Sequence, residues 1–369
     1  MARDATSIVS LELACGIYIY IYIFEDVIVQ IHWTKRDLPV FVSIIMSGSS
    51  PSGASSASGT RKIWKRKTTK EFEELKGKLR KRQRQNLKDF KGRSTILLTK
   101  YPKQHMAITA ADDHNASWRG GTIDPFCPSR HRLFSLELAT TGKRTFFSCS
   151  ISDFWKMYMN AAPKHRHHYE IIRAGFPCRL YFDCEFYKEF NPALDVRADG
   201  TRMVSELIRL AATSLQMLFG IMVTREAFLV LDSSTHKKCS FHIIVHLPKN
   251  QLFKTNIHVG KFVRWLAESC RPPSSPGGPA AALPRFSNLW VNGRKEKKEF
   301  FADEAVYTKN RAFRLLYSSK FGKVQTLLPS MTLNKFKFDN FTEPGEYQLF
   351  LDALICASLS IEEELGSTV

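Results

Sequence analysis

Cysteine is scarce in this sequence of 369 residues, and its spacing excludes two classes of small domain. The chain has eight cysteines, and no two of them form a CxxC pair. A disulfide framework or a zinc ribbon requires regular cysteine spacing. We therefore interpret the thiols as reduced packing residues, and we expect no zinc site. The short histidine cluster at 165, 167 and 168 has no matching cysteine or aspartate spacing and is interpreted as a polar loop or strand start.

Long apolar runs are also missing. The most apolar segment, residues 13–24, is only 12 residues long, whereas a membrane-spanning helix needs about 20. Acidic residues bracket it, unlike the basic leading region of a signal peptide. Its alternation of isoleucine and tyrosine predicts a β-strand. We expect no membrane partner, and our hypothesis is that the native start is Met46, with the upstream residues forming an extension.

Acidic residues are outnumbered by basic ones, and the excess is unevenly distributed. The chain has 35 Asp and Glu against 54 Lys and Arg, a net charge of +19. Such an excess favours a polyanionic partner, either nucleic acid or an anionic membrane surface. Residues 61–93 alone hold 15 basic and four acidic side chains with helical periodicity. This segment is either a solvated helix or a helix that lies along a phosphate backbone.

The globular part of the sequence begins near residue 95. Alternating residues, a hairpin turn at 141–143 and a short helix starting at an N-cap Ser152 predict a small α/β module. Its predicted elements are strands 132–138, 144–148 and 169–172 and helix 152–159.

Two carboxylates share one face of the next predicted strand, Leu180 to Phe186. Leu180 and every second residue after it form an apolar face, whereas Asp183 and Glu185 lie opposite. Paired carboxylates in an apolar strand repel each other and lose hydration unless a cation lies between them. Mg²⁺ and Mn²⁺ prefer such oxygen ligands. The alternative is a half-exposed strand with a solvated acidic face.

Two further patterns follow along the chain. After a helix ending near Gly220 and a strand at 228–231, the strand 239–247 places Ser240 and His242 on one face, where they could donate to phosphate oxygens. A lone histidine there is more often structural.

The third pattern is a strand at 299–303 that ends in Asp303 and is followed by arginines and lysines. A metal-bound triphosphate requires such a combination, although salt bridges could explain any one of these residues.

The order of these motifs resembles that of the archaeo-eukaryotic primases, most closely the eukaryotic primase-polymerases. The resemblance runs from about residue 61 to 359. It rests on CRLYFDCEF at 178–186, LDSST at 231–235, NIHVGKF at 256–262, VYTKNRAFRL at 306–315 and SSK at 318–320.

The resemblance implies an α+β fold, with an RRM-like catalytic module and a smaller N-terminal α/β module. It implies two-metal nucleotidyl transfer, with Asp183, Glu185 and Asp303 as catalytic residues and as ligands of Mg²⁺ or Mn²⁺. It also implies that Arg144 contacts the template and that Arg311 lies beside the nucleotide pocket. The positions that match contacts to the nucleotide's phosphates are Lys238, Ser240, His242, Arg314 and Lys320.

The predicted organisation follows from composition and resemblance together. Its segments are an N-terminal extension and Ser/Gly tether at 1–60, a basic helix at 61–93, the N-terminal α/β module at 94–176, the catalytic module at 177–270 and 285–359, a Pro/Gly linker at 271–284 and an acidic tail at 360–369. The family carries zinc ligands after its polymerase core and uses them in priming. This sequence has none there, where a predicted helix at 347–359 is followed by the acidic tail. Either the chain is a truncated product or this member primes poorly, and we expect primer extension in both cases.

The expected function is that of a template-dependent DNA primase-polymerase in damage-tolerant synthesis and replication-fork repriming. Its expected partners are single-stranded DNA template and primer, dNTP or NTP, and single-strand binding proteins. The resemblance implies a monomer located in the nucleus and also in mitochondria. Two alternatives remain open: an end-joining or repair polymerase of the same superfamily, and an inactive single-stranded DNA-binding protein.

Overall fold

The structure is a computed structural model, and it describes part of the chain. Four strands before residue 47 are described by their backbone alone. The predicted tether, the basic helix at 61–93, most of the linker and the acidic tail lie outside the described residues. The other described ranges are 98–117, 130–272, 283–294, 297–338 and 342–356.

The N-terminal strands form an antiparallel sheet of their own. They are β1 (Ile8–Leu13), β2 (Ile17–Phe24), β3 (Val27–Thr34) and β4 (Asp37–Met46), in that order across the sheet. The run of alternating isoleucine and tyrosine is strand β2, as its period of two predicts. This sheet belongs to a compact unit separate from the main body of the chain.

The main body mixes helices with antiparallel sheets, which confirms the α+β class. Its elements, in chain order, are β5 (Lys100–Tyr101), α1 (Gln104–Ser117), β6 (Arg132–Glu137), β7 (Arg144–Cys149), α2 (Ile151–Asn160), β8 (His168–Ile172), β9 (Leu180–Tyr187), α3 (Ala198–Phe219), β10 (Phe228–Asp232), β11 (Lys238–Val245), α4 (Asn256–Ser269), β12 (Trp290–Asn292), β13 (Lys298–Phe300), β14 (Arg311–Arg314), β15 (Leu328–Pro329) and α5 (Glu343–Asp352).

The first sheet of the body has the strand order β14-β8-β6-β7-β5. The β6–β7 hairpin turns through Gly142, whose φ of 81° is accessible to glycine without a steric penalty. Strand β14 comes from far along the chain and pairs with β8, so Arg311 lies opposite Ile172. The region that the sequence assigns to the catalytic module therefore contributes the edge strand of the smaller module's sheet. The predicted domain boundaries otherwise stay a prediction.

The N-cap of helix α2 lies two residues earlier than predicted. The N-cap is Ser150, whose Oγ accepts a hydrogen bond from the backbone N–H of Asp153 at 3.1 Å. The prediction of Ser152 as the cap was wrong, because both serines precede a helical apolar pattern and only the first satisfies a backbone donor of the opening turn. The apolar stripe of this helix packs Phe154 and Tyr158 into the core.

The second sheet has the order β15-β10-β11-β9, and it holds the motif residues. Along the chain its elements run β9-α3-β10-β11-α4, and residues 298–303 then return to the free edge of β9, where Ala302 bridges Cys184. Gly200 of α3 lies against Cys239 and Phe241. Because side chains alternate along a strand, this helix covers the face of β11 opposite to Ser240 and His242.

Two local predictions, one about strand β9 and one about helix α3, are confirmed. The alternate residues of β9 from Leu180 to Phe186 are fully buried. Helix α3 ends at Gly220 in the left-handed conformation, with a φ of 67°, as predicted.

The six cysteines within the described residues are all buried and free. In the same residues, no helix is long and apolar enough to cross a bilayer.

The C-terminal helix lies earlier than the predicted range of 347–359. Helix α5 begins at Glu343, capped by Thr342, and ends at Asp352. It ends there because Arg179 donates to the carbonyl oxygens of Leu351, Asp352 and Leu354. The following residues are drawn away from the helix axis, since the Glu170 carboxylate accepts their backbone N–H groups at 2.7 and 2.9 Å.

Candidate active site

A cleft of about 470 Å³ lies over the polar face of β9 and β11, and residues of both sheets line it. Eight of the ten predicted site residues line the cleft: Asp183, Glu185, Ser240, His242, Arg311, Arg314, Lys320 and Arg144. Lys238 and Asp303 are not among the lining residues. The walls are completed by Gln104, Glu137, Phe146, Tyr169, Val306 and the other residues of 308–313.

The two carboxylates of β9 point into this cleft as their spacing predicts. The side chains of Asp183 and Glu185 are 21% and 30% exposed. Burial raises the pKa of Asp183 to about 6, and the negative charges of Glu185 and Asp303 add to this shift, against the opposing charges of Arg314 and Lys320. The Oδ1 atom of Asp183 is buried without a hydrogen-bond partner.

Asp303 lies beside the β9 carboxylates without lining the cleft, and its local structure differs from the one predicted. It does not end a strand: β13 stops at Phe300, and Asp303 caps a short 3₁₀ turn by accepting from the N–H of Ala305 at 2.9 Å. Its own backbone N–H donates to the carbonyl oxygen of Asp183 at 2.7 Å. The backbone bond places Asp303 beside the β9 carboxylates.

Strand β11 lies directly across from these carboxylates. Ser240 pairs with Glu185 in the sheet register, and His242 pairs with Asp183. The ammonium group of Lys238, at the start of β11, forms an ion pair with the Glu185 carboxylate. The predicted Ser-x-His face therefore lies next to the predicted Asp-x-Glu face, because an antiparallel register aligns them residue by residue.

His242 is neutral in this environment. Its Nε2 lies 3.6 Å from Asp183 Oδ1. Burial lowers its pKa well below the usual value, and the positive charges of Arg314, Lys320 and Lys238 lower it further. Its Nδ1 is buried without a hydrogen-bond partner. A buried, unpartnered ring nitrogen that lines a cleft is available to a ligand.

Cations crowd the opposite wall of the cleft. The guanidinium group of Arg314 donates to Ser233 Oγ at 2.7 Å, and this hydroxyl contacts Ser240 Oγ at 3.1 Å. Lys320 is exposed at the cleft mouth, yet desolvation of its ammonium group, together with Lys238 and Arg314, lowers its pKa. Close positive charges of this kind favour a bound polyanion.

The sequence interpretation gave no role to Ser233, although it lies in the quoted segment LDSST. In the structure, the Ser233 backbone N–H donates to the Ser240 carbonyl at 2.9 Å, and its hydroxyl links Arg314 to β11. Such a link requires knowledge of which strands are neighbours, and a single sequence does not provide it.

Arg144 lies at the side of the cleft formed by the first sheet. Its guanidinium carbon is 4.6 Å from the centroid of the Tyr169 ring. It also donates to Glu137 Oε1 at 3.2 Å, and the other carboxylate oxygen accepts from the Tyr169 hydroxyl at 2.8 Å. Glu137 and Tyr169 are further cleft residues that the sequence interpretation missed, because they meet only through the pairing of β6 with β7 and β8.

The segment that delivers Arg311 to the cleft is firmly held. Tyr307 donates to the Tyr181 carbonyl at 2.8 Å, and its Cβ lies so close to Gly260 that a Cβ added to the glycine would approach it to 2.6 Å. Asn310 adopts a φ of 50°, and its carbonyl accepts from Gln104 at 3.0 Å. A fixed backbone before β14 fixes the direction of the arginines that follow.

The residues at the base of the cleft fit a divalent cation in their chemistry. Carboxylate oxygens are the ligands that Mg²⁺ and Mn²⁺ prefer, and the unpartnered Asp183 Oδ1 is such an oxygen. In the part of the chain that the structure describes, no three His, Cys, Asp or Glu side chains already form a ready ligand cluster. Lys238 instead neutralises Glu185, and a cation would take over that role.

Comparison with known proteins finds similar curated proteins that all carry one name. No family model matches the chain. A protein of Danio rerio is 37% identical over 211 residues, which are 52% of this chain and 39% of that protein. Proteins of Gallus gallus and Homo sapiens are 33% and 31% identical over 286 and 281 residues, 62% of this chain and 49% of each relative.

All three relatives bear the same name, "DNA-directed primase/polymerase protein". The chain spans less than half the length of these relatives. Identities of 31 to 37% over more than 200 residues bear out the resemblance that the motifs carry. Over more than half of its length, this chain is similar to proteins named DNA-directed primase/polymerase protein.

Proposed function

We propose that this protein is a template-dependent DNA primase-polymerase that extends primers by nucleotidyl transfer. One observation carries the proposal. The carboxylates of Asp183 and Glu185 lie across β9 and β11 from Ser240 and His242, within a cleft whose other wall carries Arg314 and Lys320. A metal-bound triphosphate requires carboxylates for the metal, and hydrogen-bond donors and cations for the phosphate oxygens.

Asp183, Glu185 and Asp303 would hold Mg²⁺ or Mn²⁺. When bound, the ions would supply activation of the primer 3′-hydroxyl and neutralisation of the leaving pyrophosphate. The charge balance of the structure supports this assignment, because Asp183 is a buried carboxylate with two acidic neighbours and one unpartnered oxygen. Without a cation the site carries a repulsion that nothing in β9 itself relieves.

The cationic wall would bind the phosphates of the incoming nucleotide. Arg314 is held by Ser233 with its Nε buried and without a partner, which leaves one donor for a phosphate oxygen. Lys320, Lys238, Ser240 and His242 would add further donors. Because His242 is neutral, it would contribute a hydrogen bond rather than a charge.

The template would lie at the other side of the cleft. Arg144 is oriented by the Tyr169 ring and by Glu137, and Arg311 lines the wall between this side and the phosphate side. Both arginines can contact a nucleic-acid backbone or stack on a base. We place the single-stranded template beside Arg144 and the nucleotide between Arg311 and Lys320.

The fold and the cellular context complete the proposal. The order β9-α3-β10-β11-α4 followed by an edge segment supports an RRM-like catalytic module beside a smaller α/β module. We further propose damage-tolerant synthesis and fork repriming in the nucleus and mitochondria by a monomer, with single-strand binding proteins as partners. These proposals rest on the relationship to the primase/polymerase proteins.

The test is primer extension on a single-stranded DNA template, with Mg²⁺ and Mn²⁺ supplied separately. The Asp183→Ala/Glu185→Ala variant is the comparison, and DNA binding by both proteins is measured in parallel. Extension that disappears in the variant while DNA binding persists supports the proposal. Wild-type protein that binds DNA tightly but extends no primer with either metal refutes it.

Two other functions give different outcomes in this assay. An inactive single-stranded DNA-binding protein would bind without extension, but it would gain nothing from three acids beside its polyanion. A repair or end-joining polymerase of the same superfamily would fill gaps or join ends in preference to synthesis past a lesion. Templates with a lesion, a gap and a short terminal overlap separate these activities. Priming is measured apart, on a template without a primer.

A further inference from the structure

Glu137 occupies a central position among the cleft residues, at the end of β6. Its side chain is 11% exposed and lines the cleft. One carboxylate oxygen accepts from Arg144 at 3.2 Å. The other accepts from the Tyr169 hydroxyl at 2.8 Å and from the backbone N–H of Phe321 at 2.9 Å. A single carboxylate thereby joins three separate parts of the chain.

These three contacts join residues of neighbouring strands to the loop after β14. Arg144, which the proposed function assigns to the template, lies with its guanidinium group over the Tyr169 ring. Phe321 immediately follows Lys320, a cleft residue that the proposed function assigns to the nucleotide phosphates. The loop that carries Lys320 is fixed at two further points, because the Ser319 N–H donates to the Arg166 carbonyl and the Lys323 N–H to the Lys320 carbonyl.

We propose that Glu137 is a positioning residue that holds the template-side arginine and the phosphate-side lysine in one fixed arrangement. This inference rests on the proposed function, since it concerns the same cleft. Glu137 itself touches neither the β9 carboxylates nor their partners on β11 among the contacts of the structure. It acts through Arg144 and through the loop of Lys320.

The chemistry of the three partners explains why the residue is a carboxylate. All three are donors, and an ionised carboxylate is an acceptor with no donor of its own. In a Glu137→Gln variant, one oxygen becomes an NH₂ group that faces at least one of these donors. The variant therefore preserves size and shape while it breaks either the Arg144 contact or the Tyr169 and Phe321 contacts.

The test is a pair of double-mutant cycles in steady-state primer extension. Glu137→Gln is combined with Arg144→Ala and, separately, with Lys320→Ala. We expect Glu137→Gln to lower kcat/KM about tenfold. We expect at least one of the two double variants to lose little more than its single Arg144 or Lys320 variant, because the amide breaks the contact to one of the two partners through which Glu137 acts. A purely structural role would give multiplicative losses together with a lower Tm.

Asp112→Asn is the matched control. Asp112 is also a carboxylate that binds an arginine, since it accepts from Arg173 at 2.6 and 3.1 Å, but it lies on α1 and does not line the cleft. We expect this variant to retain wild-type extension. Unchanged kcat/KM in Glu137→Gln, or multiplicative losses in both cycles, overturns the inference.

The two proposals fail in distinguishable ways. If wild-type protein extends primers and the Asp183→Ala/Glu185→Ala variant does not, an unaffected Glu137→Gln variant refutes the role of Glu137 alone. If wild-type protein extends no primer, equilibrium binding of single-stranded DNA and of a deoxynucleoside triphosphate still tests Glu137. We then expect weaker binding of both probes by Glu137→Gln and wild-type binding by Asp112→Asn.

Discussion

His242 lies directly across two paired strands from Asp183, with its Nε2 3.6 Å from the Oδ1 of the carboxylate. Asp183 Oδ1 is buried and has no hydrogen-bond partner. The other ring nitrogen of His242, Nδ1, is also buried and unpartnered. Unsatisfied buried polar atoms cost free energy, and they persist where a ligand satisfies them. The pair marks the base of the cleft as a place arranged for a ligand rather than for stability.

The Asp183→Asn variant tests this cost. We expect it to abolish primer extension and to raise the free energy of unfolding by about 1 kcal/mol, because the amide carries no charge beside Glu185 and Asp303. Denaturant unfolding at pH 7 without divalent cations measures the stability. A stability gain that disappears when Mg²⁺ or Mn²⁺ is added to both proteins agrees with a cation site. A loss of stability without cations contradicts the prediction.

The Gly260→Ala variant tests whether the segment before β14 must stay in place. A Cβ at position 260 would lie 2.6 Å from the Tyr307 Cβ, an atom close to the backbone that cannot move away alone. We expect a loss of about 1–3 kcal/mol of stability and a lower kcat/KM. The control is Lys261→Ala, at the next, exposed position of α4, which we expect to change stability by less than about 0.5 kcal/mol.

Arg179→Ala tests the attachment of the C-terminal segment. Arg179 is buried and donates to three carbonyl oxygens at the end of α5. Its removal leaves these acceptors buried and unpartnered, so we expect a loss of about 2–4 kcal/mol. Arg202→Ala removes an exposed ion pair with Asp199, and we expect a loss below about 1 kcal/mol. Similar losses in the two variants would contradict the prediction.

Two buried histidines predict how stability depends on pH. Burial and a nearby arginine lower the pKa of both His168 and His246 from 6.5 to about 3. Both are neutral in the folded protein, whereas the unfolded chain takes up a proton on each below pH 6.5. Stability is therefore full above pH 6.5 and decreases as the pH falls towards 3.

The expected size of this effect is about 2 kcal/mol per histidine between pH 6.5 and 5. Denaturant unfolding over this range measures it, and a His246→Gln variant should show a shallower decrease than the wild-type protein. His246 is chosen because its ring contacts the Asp352 carbonyl at the edge of the core, where glutamine can make the same hydrogen bond. A slope unchanged by the substitution would contradict the assignment.

The sequence predicted best where a residue's role depends on neighbours along the same element. The alternation of β9 placed Asp183 and Glu185 on one face, and Gly220 ended α3, because these patterns are local. Asp303 was predicted as a carboxylate near the others, but at the end of a strand. The structure places it at the N-cap of a 3₁₀ turn, where its side chain accepts from the N–H of Ala305 and its own N–H donates to the Asp183 carbonyl.

Contacts between distant segments could not be predicted. Ser233 binds Arg314, and Glu137 binds Phe321, across 81 and 184 residues. Local periodicity contains no information on such pairs. The boundaries of α2 and α5 differ from the predicted ones for a related reason. Several neighbouring residues could begin or end each helix. The Ser150 cap decides the start of α2, and the contacts of Arg179 decide the end of α5.

The pairing of β8 with β14 has a consequence for how the protein is made. Ile172 leaves the ribosome long before Arg311, its partner in the sheet. Until β14 has been synthesised, the newly made first sheet exposes the edge of β8, and exposed edges invite pairing with other chains. Closure of this edge and delivery of Arg311 and Arg314 to the cleft are then one event. A nascent chain thus acquires Arg311 and Arg314 only after β5 to β11 have been made, so the cleft lacks these two cations until then.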